Sequence, residues 1–168
     1  MLVEHEYERA GALAYLAAWD VHRAKLFGRC ERTTGIEPFG RLVSEVMASE
    51  PYRGARHVFW VLDNGPSHRG AACVERLTEA YPRLVPVHLP IHASWLNQVE
   101  IYFSILERKV LTPPDAASLD ELAARILAFQ ADYEGLAQPF EWKFTRTDLA
   151  RLLRRLAEKD VDLLRAAA

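Results

Sequence analysis

Residues 58 to 68 read Val-Phe-Trp-Val-Leu-Asp-Asn-Gly-Pro-Ser-His, an unbroken apolar run that ends on a carboxylate and then on turn-forming residues. Five apolar residues with no polar alternation predict a strand covered on both faces, as in the middle of an α/β sheet. Asn64-Gly65-Pro66 interrupts this strand, and Ser67 is the predicted N-cap of a helix from His68 to Ala80. Asp63 should therefore lie at the carboxyl end of a central strand, where open α/β sheets place ligands and chemistry.

A second motif follows a short predicted strand at residues 84 to 89. Residues 90 to 103 read Pro-Ile-His-Ala-Ser-Trp-Leu-Asn-Gln-Val-Glu-Ile-Tyr-Phe. Ser94 is the predicted N-cap of a helix in which Asn97 and Glu100 share one face. Glu100 has mostly apolar neighbours, so its carboxylate is costly to bury unless a cation meets it. The competing interpretation is an ordinary helix-surface Glu that pairs with a base.

The other elements follow from hydrophobic spacing. An apolar run at residues 13 to 19, closed by Asp20, and an alternating run at residues 24 to 32 predict a β-hairpin. Apolar residues at helical spacing between Phe39 and Met47 predict an amphipathic helix that ends before Pro51. A capping box at residues 118 to 121 predicts a later helix that extends through Tyr133. The resulting order is strand, strand, helix, strand, helix, strand and two helices.

Composition limits the class of protein. The chain has 168 residues, half of them apolar, which suits one domain with a real core. No apolar run approaches the roughly 20 residues of a membrane span, and Met1 to Ala10 do not read as a signal peptide. A cytoplasmic protein is therefore expected. Cys30 and Cys73 are too far apart for a metal-binding pattern and are interpreted as buried thiols.

The formal net charge of −2 excludes a chain that is basic throughout, but DNA binding needs only a local basic patch. Such a patch is predicted near the C-terminus, although a solvated helix face would give the same pattern. Its members are Lys143, Arg146, Arg151, Arg154, Arg155 and Lys159.

The two motifs together carry a resemblance to a known family. An apolar strand ending in Asp63-Asn64, His68 five residues after that Asp, and the Ser-x-Leu-Asn-x-x-Glu helix start ending on Glu100 resemble the catalytic domain of insertion-sequence transposases of the mariner superfamily. These are DDE enzymes with a ribonuclease-H-like fold. The resemblance runs from about Glu4 to Phe144, and it implies an α/β domain with a mixed sheet flanked by helices.

The resemblance also implies that part of the domain is missing. Asp63 and Glu100 match the second and third catalytic acids of the family, whereas the first is an Asp on a central strand that precedes the hairpin. Asp20 is the only substitute in this chain, but it matches a turn. We therefore expect residues 1–112 to be a partial ribonuclease-H-like DDE catalytic domain that lacks its first, central strand. Residues 113–168 are expected to be a C-terminal helical extension packed on it.

The implied activity is metal-dependent DNA strand cleavage and strand transfer in transposition. Two Mg²⁺ or Mn²⁺ ions would be held by carboxylates that include Asp63 and Glu100. The expected partners are DNA, as transposon ends and target, and another copy of the chain or an upstream-frame partner chain. The resemblance and the local charge suggest site support from Asn64, His68 and Asn97, and DNA contacts from Arg69, Lys143 and Arg146.

Two alternatives remain open on sequence. One is a catalytically inactive transposase remnant that binds only DNA or another subunit. The other is an unrelated ribonuclease-H-like nuclease that uses Asp20. Asn64 and His68 also have simpler roles available, in a turn or in the first turn of a helix.

Overall fold

A computed structural model describes residues 11–65, 67–90, 94–112, 116–141, 143, 145–148, 150–151 and 154–155. The first element is the predicted hairpin, which is confirmed. Strand β1 (Ala14–Asp20) pairs antiparallel with strand β2 (Lys25–Glu31), with Asp20 opposite Lys25 at the connecting turn.

Helices and a second strand pair follow the hairpin. They are helix α1 (Ile36–Ala48), strand β3 (Val58–Leu62), helix α2 (Ala71–Ala80), strand β4 (Leu84–His88), a 3₁₀ turn (Ser94–Leu96), helix α3 (Val99–Leu106), a π-helical turn (Glu107–Leu111) and helix α4 (Leu119–Leu136). The amphipathic helix predicted before Pro51 is confirmed as α1, because its apolar residues from Phe39 to Met47 are buried.

The strands form two small sheets. One contains β1 and β2, and the other contains β3 and β4 in parallel. The expected mixed α/β architecture is confirmed, and the described strands lie in two pairs and not in one continuous sheet. Residues of β1 and β3 line one cavity, and no described strand lies between the two.

The outer edge of β4 carries a proline. The N–H of Val58 donates to the carbonyl of Arg83, and the N–H of Leu89 donates to the carbonyl of Leu62, at 2.9 and 2.8 Å. Because successive residues of a strand turn their backbone groups to opposite edges, Pro86, in register with Trp60, faces away from β3. Proline is tolerated at such an edge because it has no N–H to lose.

The core has two parts, one on each face of the hairpin. On one face, Leu16 and Ala18 pack against the cluster beneath α1, which includes Trp60 and Leu62 of β3. On the other face, Tyr15 and other alternate residues pack against a cluster formed by Leu26, Tyr102, Leu106 and Ile126. Burial on both faces explains why residues 13 to 19 lack polar alternation.

Two predicted helix starts are wrong. Helix α2 begins at Ala71 and not at His68, and Gly70 precedes it with a φ of 79°, a left-handed conformation that suits glycine. The Ser67 hydroxyl hydrogen-bonds the His68 ring instead of capping α2. Helix α3 begins at Val99, because residues 94–96 form a separate 3₁₀ turn.

The capping box of α4 is confirmed. The Ser118 hydroxyl accepts a hydrogen bond from the Glu121 N–H at 3.1 Å, and the Glu121 carboxylate accepts one from the Ala117 N–H at 2.8 Å. The helix extends past Tyr133 to Leu136. After it, Phe140 stacks on Trp19 with ring centroids 4.9 Å apart, which ties this segment to β1.

The C-terminal basic residues lie on the surface where the structure describes them. Lys143, Arg146, Arg154 and Arg155 are exposed, Arg151 pairs with Asp148 at 3.4 Å, and Lys159 lies outside the described residues. Across the described ranges, no helix has the length and apolar content needed to cross a membrane.

Candidate active site

The end of β3 fixes the position of the Asp63 carboxylate. Its Oδ1 atom accepts a hydrogen bond from the Gly65 N–H at 3.2 Å and is bonded by Nε2 of His68. The other ring nitrogen of His68 meets the Ser67 hydroxyl at 3.0 Å, and the ring packs on Phe39. Asp63 is therefore held from one side by a ring that is itself fixed at both nitrogens.

Gly65 allows the close approach that this arrangement needs. A Cβ atom at position 65 would lie 2.8 Å from the His68 ring and 3.2 Å from Oδ1 of Asp63. Any larger residue would displace the ring from the carboxylate.

Asn64 joins the ends of β3 and β4. Its Nδ2 donates to the carbonyl of Leu89 at 2.8 Å. This bond gives the residue a structural role at the carboxyl end of the parallel pair, and Asn64 does not line the cavity described below.

Glu100 lies in the first turn of α3 and interacts electrostatically with Asp63. Burial raises the pKa of Glu100, and the negative charge of Asp63 raises it further. Burial also opposes ionisation of Asp63, but the hydrogen bonds from His68 and from the Gly65 N–H outweigh it and lower the pKa of that carboxyl. The two acids therefore differ, one stabilised as an anion and the other destabilised.

Both acids line one cavity of about 1110 Å³ between the two sheets. His68, Asn97 and Gln98 line it as well, and Asn97 contacts the Val99 N–H through Oδ1 at 3.5 Å. The Oε1 atom of Gln98 is buried without a hydrogen-bond partner among the described residues. Sequence reasoning did not single out Gln98, because an isolated Gln beside a helix start carries no distinctive signal.

Comparison with known proteins gives one match. A family model described as DDE superfamily endonuclease matches residues 2–123. The chain belongs to the DDE superfamily endonucleases. No curated protein and no solved structure matches it. Membership indicates a transposase-like nuclease that acts on DNA, in a family that generally uses divalent metal ions.

The oxygen atoms that line the cavity of this DDE endonuclease are of the types that bind a hard divalent cation. The acids Asp63 and Glu100 supply carboxylate oxygens, and Gln98 supplies an amide oxygen, all of which are ligands for Mg²⁺. The number of ligands is small, because the described ranges contain no group of three His, Cys, Asp or Glu residues able to hold a metal.

Asp20 has a structural role in this DDE endonuclease. Its carboxylate accepts hydrogen bonds from the Tyr52 hydroxyl at 2.6 Å and from the N–H groups of His22 and Arg23 at 2.8 and 3.0 Å. Although burial opposes ionisation, these bonds lower the pKa of Asp20. They fix the hairpin turn and join it to the segment before β3.

The predicted site residues separate into two groups. Asp63, His68, Asn97 and Glu100 line the same cavity, whereas Asn64 and Arg69 do not. Arg69 is exposed two residues before α2, and Lys143 and Arg146 are exposed after α4. The DNA contacts of these three basic residues stay predictions.

Proposed function

We propose that this DDE endonuclease is part of a transposase catalytic domain that cleaves and joins DNA strands with two divalent ions. Residues 1–112 would form a ribonuclease-H-like core that lacks its central strand, and residues 113–168 a helical extension. In this proposal the chain alone is inactive, because the first catalytic acid of the family is not supplied by residues 1–168.

The observation that carries the proposal is that Asp63 and Glu100 line the same cavity, where the charge of Asp63 acts on Glu100. The negative charge of Asp63 raises the pKa of Glu100, and a cation bound between the two carboxylates would relieve this repulsion. Perturbed acids in a cleft are typical of functional sites. The subgroup assignment to mariner-like insertion sequences rests on the spacing of the two motifs.

In this proposal the predicted site residues have three different roles. Asp63 and Glu100 would hold the ions, which supply charge stabilisation at the phosphodiester when bound. His68 would orient Asp63 through Oδ1 and leave Oδ2 for another partner, since the hydrogen bonds of this carboxylate with Gly65 and His68 both use Oδ1. Exposed Arg69, Lys143 and Arg146 would contact DNA phosphates.

Metal binding tests the site. Mn²⁺ should raise the thermal unfolding midpoint of the wild-type chain, because an ion that binds only the folded state stabilises it. The increase should disappear in Asp63→Asn and in Glu100→Gln and persist in the control Glu107→Gln, which changes an exposed Glu at the end of α3. An equal increase in all four proteins would refute the assignment.

A DNA strand-cleavage assay tests the proposal that the chain alone is inactive. Supercoiled plasmid incubated with the chain and Mg²⁺ or Mn²⁺ should show little nicking above a protein-free control. Robust nicking that is lost in Asp20→Ala but not in Asp63→Asn would instead favour a nuclease that uses Asp20.

The second candidate function is a remnant that binds only DNA or another subunit. The absence of a three-residue metal cluster from the described ranges favours it. Fluorescence anisotropy with labelled duplex DNA distinguishes the two: the remnant should bind DNA equally well with Mn²⁺ or with EDTA, whereas the catalytic domain should bind more tightly with Mn²⁺.

A further inference from the structure

The segment that carries His68 lies between two glycines. Residues 63–70 join the end of β3 to α2. Gly65 lies near the beginning of this segment, and Gly70, with a φ of 79°, lies at its end. Because glycine loses more conformational freedom on folding than any other residue, contacts from the rest of the fold are needed to hold such a segment in one conformation.

All four hydrogen-bonding groups of His68 have a partner. Its ring nitrogens contact Ser67 and Asp63, and its N–H donates to the Gly65 carbonyl at 3.2 Å. Its carbonyl accepts a hydrogen bond from Nε2 of His88 at 2.7 Å. Of these four contacts, three come from the same segment, and the contact from His88 comes from another element.

The position of His88 follows from the fold. It is the last residue of β4 and lies in register with Leu62, the last residue of β3, so it stands at the carboxyl end of the parallel pair. Side chains alternate between faces along a strand, which places His88 on the same face as Leu84. Leu84 packs in the same core cluster as Leu77 of α2. The His88 side chain is therefore on the side of the strand pair on which the chain passes from β3 to α2.

A second side chain holds the neighbouring carbonyl. Nη2 of Arg76, in α2, donates to the carbonyl of Ser67 at 3.2 Å. Two consecutive carbonyls of the segment are thus held, one from α2 and one from β4. The bond from His88 is the shorter of the two, and it acts on the residue whose ring contacts Asp63.

We propose that His88 is a positioning residue, which holds the carbonyl of His68 and thereby keeps the His68 ring on the Asp63 carboxylate. Without a donor at position 88 this carbonyl would turn towards water for another partner, and the backbone of His68 would turn with it. The ring would then move away from Asp63. The importance of this contact for DNA cleavage rests on the proposed function of Asp63 as an ion ligand.

The proton between His68 and Asp63 makes their contact measurable. Although burial opposes ionisation of Asp63, its hydrogen bonds lower the pKa, so the carboxylate is ionised at neutral pH and can only accept. Nε2 of His68 must therefore carry the proton of this bond. A ring N–H held in a hydrogen bond inside the fold exchanges with water more slowly than a free one.

Exchange of this ring proton with water, measured by NMR on the chain labelled with ¹⁵N-histidine, tests the proposal. His88→Phe keeps a ring at position 88 without a donor, and it should speed exchange of the His68 proton about tenfold or more. His88→Gln has no ring but keeps an N–H donor, and its rate should stay within about twofold of wild type.

The matched control is Thr78→Ala. It removes a hydroxyl that donates to the Val74 carbonyl at 2.8 Å within α2, so it also deprives a carbonyl of a side-chain donor. Because that carbonyl does not belong to the segment that carries His68, the exchange rate of the ring proton should be unchanged.

Three results would overturn the proposal. The first is a His68 ring proton that is unprotected in the wild-type chain. The second is equal exchange in His88→Phe and His88→Gln, which would show that the donor does not matter. The third is an equal increase for the backbone amides of α1 in His88→Phe, which would indicate lost overall stability and not a displaced ring.

This experiment needs neither metal nor DNA, so its outcome is independent of ion binding. Suppose that Mn²⁺ leaves the unfolding midpoint of the wild-type chain unchanged while the variants at position 88 exchange as expected. The ion site is then refuted, and the positioning of His68 by His88 stands.

Discussion

At the scale of single residues, the raised pKa of Glu100 predicts how the stability of the chain depends on pH. Its folded-state pKa is raised by burial and by Asp63, so the folded chain retains a proton at pH values where the unfolded chain has lost it. Stability therefore falls as pH rises through the carboxylate range, and the loss persists at neutral pH. Glu100→Gln should be more stable than wild type at pH 7, with the difference shrinking towards about pH 4, near the ordinary Glu pKa.

Urea unfolding at several pH values measures this difference. Glu107→Gln, an exposed substitution close by, is the control and should show no comparable trend. A Glu100→Gln protein that is less stable than wild type at pH 7 would contradict the electrostatic interpretation.

His68 makes a second prediction at this scale. Replacing it with Ala removes its bond to the Asp63 carboxylate, and hydrogen bonds to charged groups contribute about 1.5–3 kcal/mol. Since the Asp63 side chain is 35% exposed, a loss near the lower end is expected in urea unfolding. Ser67→Ala, which leaves that bond in place, should cost less. Equal losses would show that the His68–Asp63 bond does not stabilise the fold.

Candidate site residues could be predicted from the sequence where a particular residue type stands at a particular distance from a strand end or a helix start. Asp63 was predicted from its place at the end of an apolar strand, and Glu100 from the cost of a carboxylate among apolar neighbours. The family resemblance supported both, and their catalytic role stays a prediction. The predicted N-caps at Ser67 and Ser94 were wrong, because the Ser67 hydroxyl hydrogen-bonds the His68 ring and residues 94–96 form a separate 3₁₀ turn before α3. Gln98 was not predicted, because only the structure shows that its Oε1 atom is buried without a hydrogen-bond partner among the described residues.

At the scale of elements, the capping box of α4 gives a measurable contribution. Ser118→Ala removes the acceptor for the Glu121 N–H and should cost about 1 kcal/mol of unfolding free energy. Ser104→Ala is the matched control, because its hydroxyl bonds a carbonyl within α3 and caps no helix end. Urea midpoints that shift equally for both variants would show that the cap contributes nothing special.

Elements could be predicted wherever their pattern is local. The hairpin, α1 and the start of α4 follow from spacing and capping within a few residues. Strand pairing is not local, because it depends on which other strand is present. β1 and β3 have the composition of central strands, so their own residues do not indicate an open edge; the expectation of a missing neighbour came from the family resemblance.

At the scale of the whole molecule, the second face of β3 and β4 exposes apolar side chains. Phe59 is 68% exposed, with Val61 on the same strand and Val87 on its partner also exposed. Such a face next to an open edge favours association. Phe59→Lys should therefore reduce self-association in sedimentation velocity experiments over a range of protein concentrations.

The control for this prediction is Leu136→Lys, at an apolar residue that is 84% exposed at the end of α4. It should leave sedimentation unchanged. If the two variants behave alike, the effect comes from added charge and not from the β3 surface.

The proline at the rim of β4 sets a limit on how many chains can join. An open filament needs two complementary edges on every copy, so that each newcomer exposes a fresh template for the next. Pro86 interrupts the row of donors on the outer side, while β3 offers Phe59 and Val61 on the inner side. Pairing of the outer edge of β4 with another strand would lack a donor at Pro86. A chain that offers one complete edge and one interrupted edge is therefore a poor unit for a fibre, which needs both.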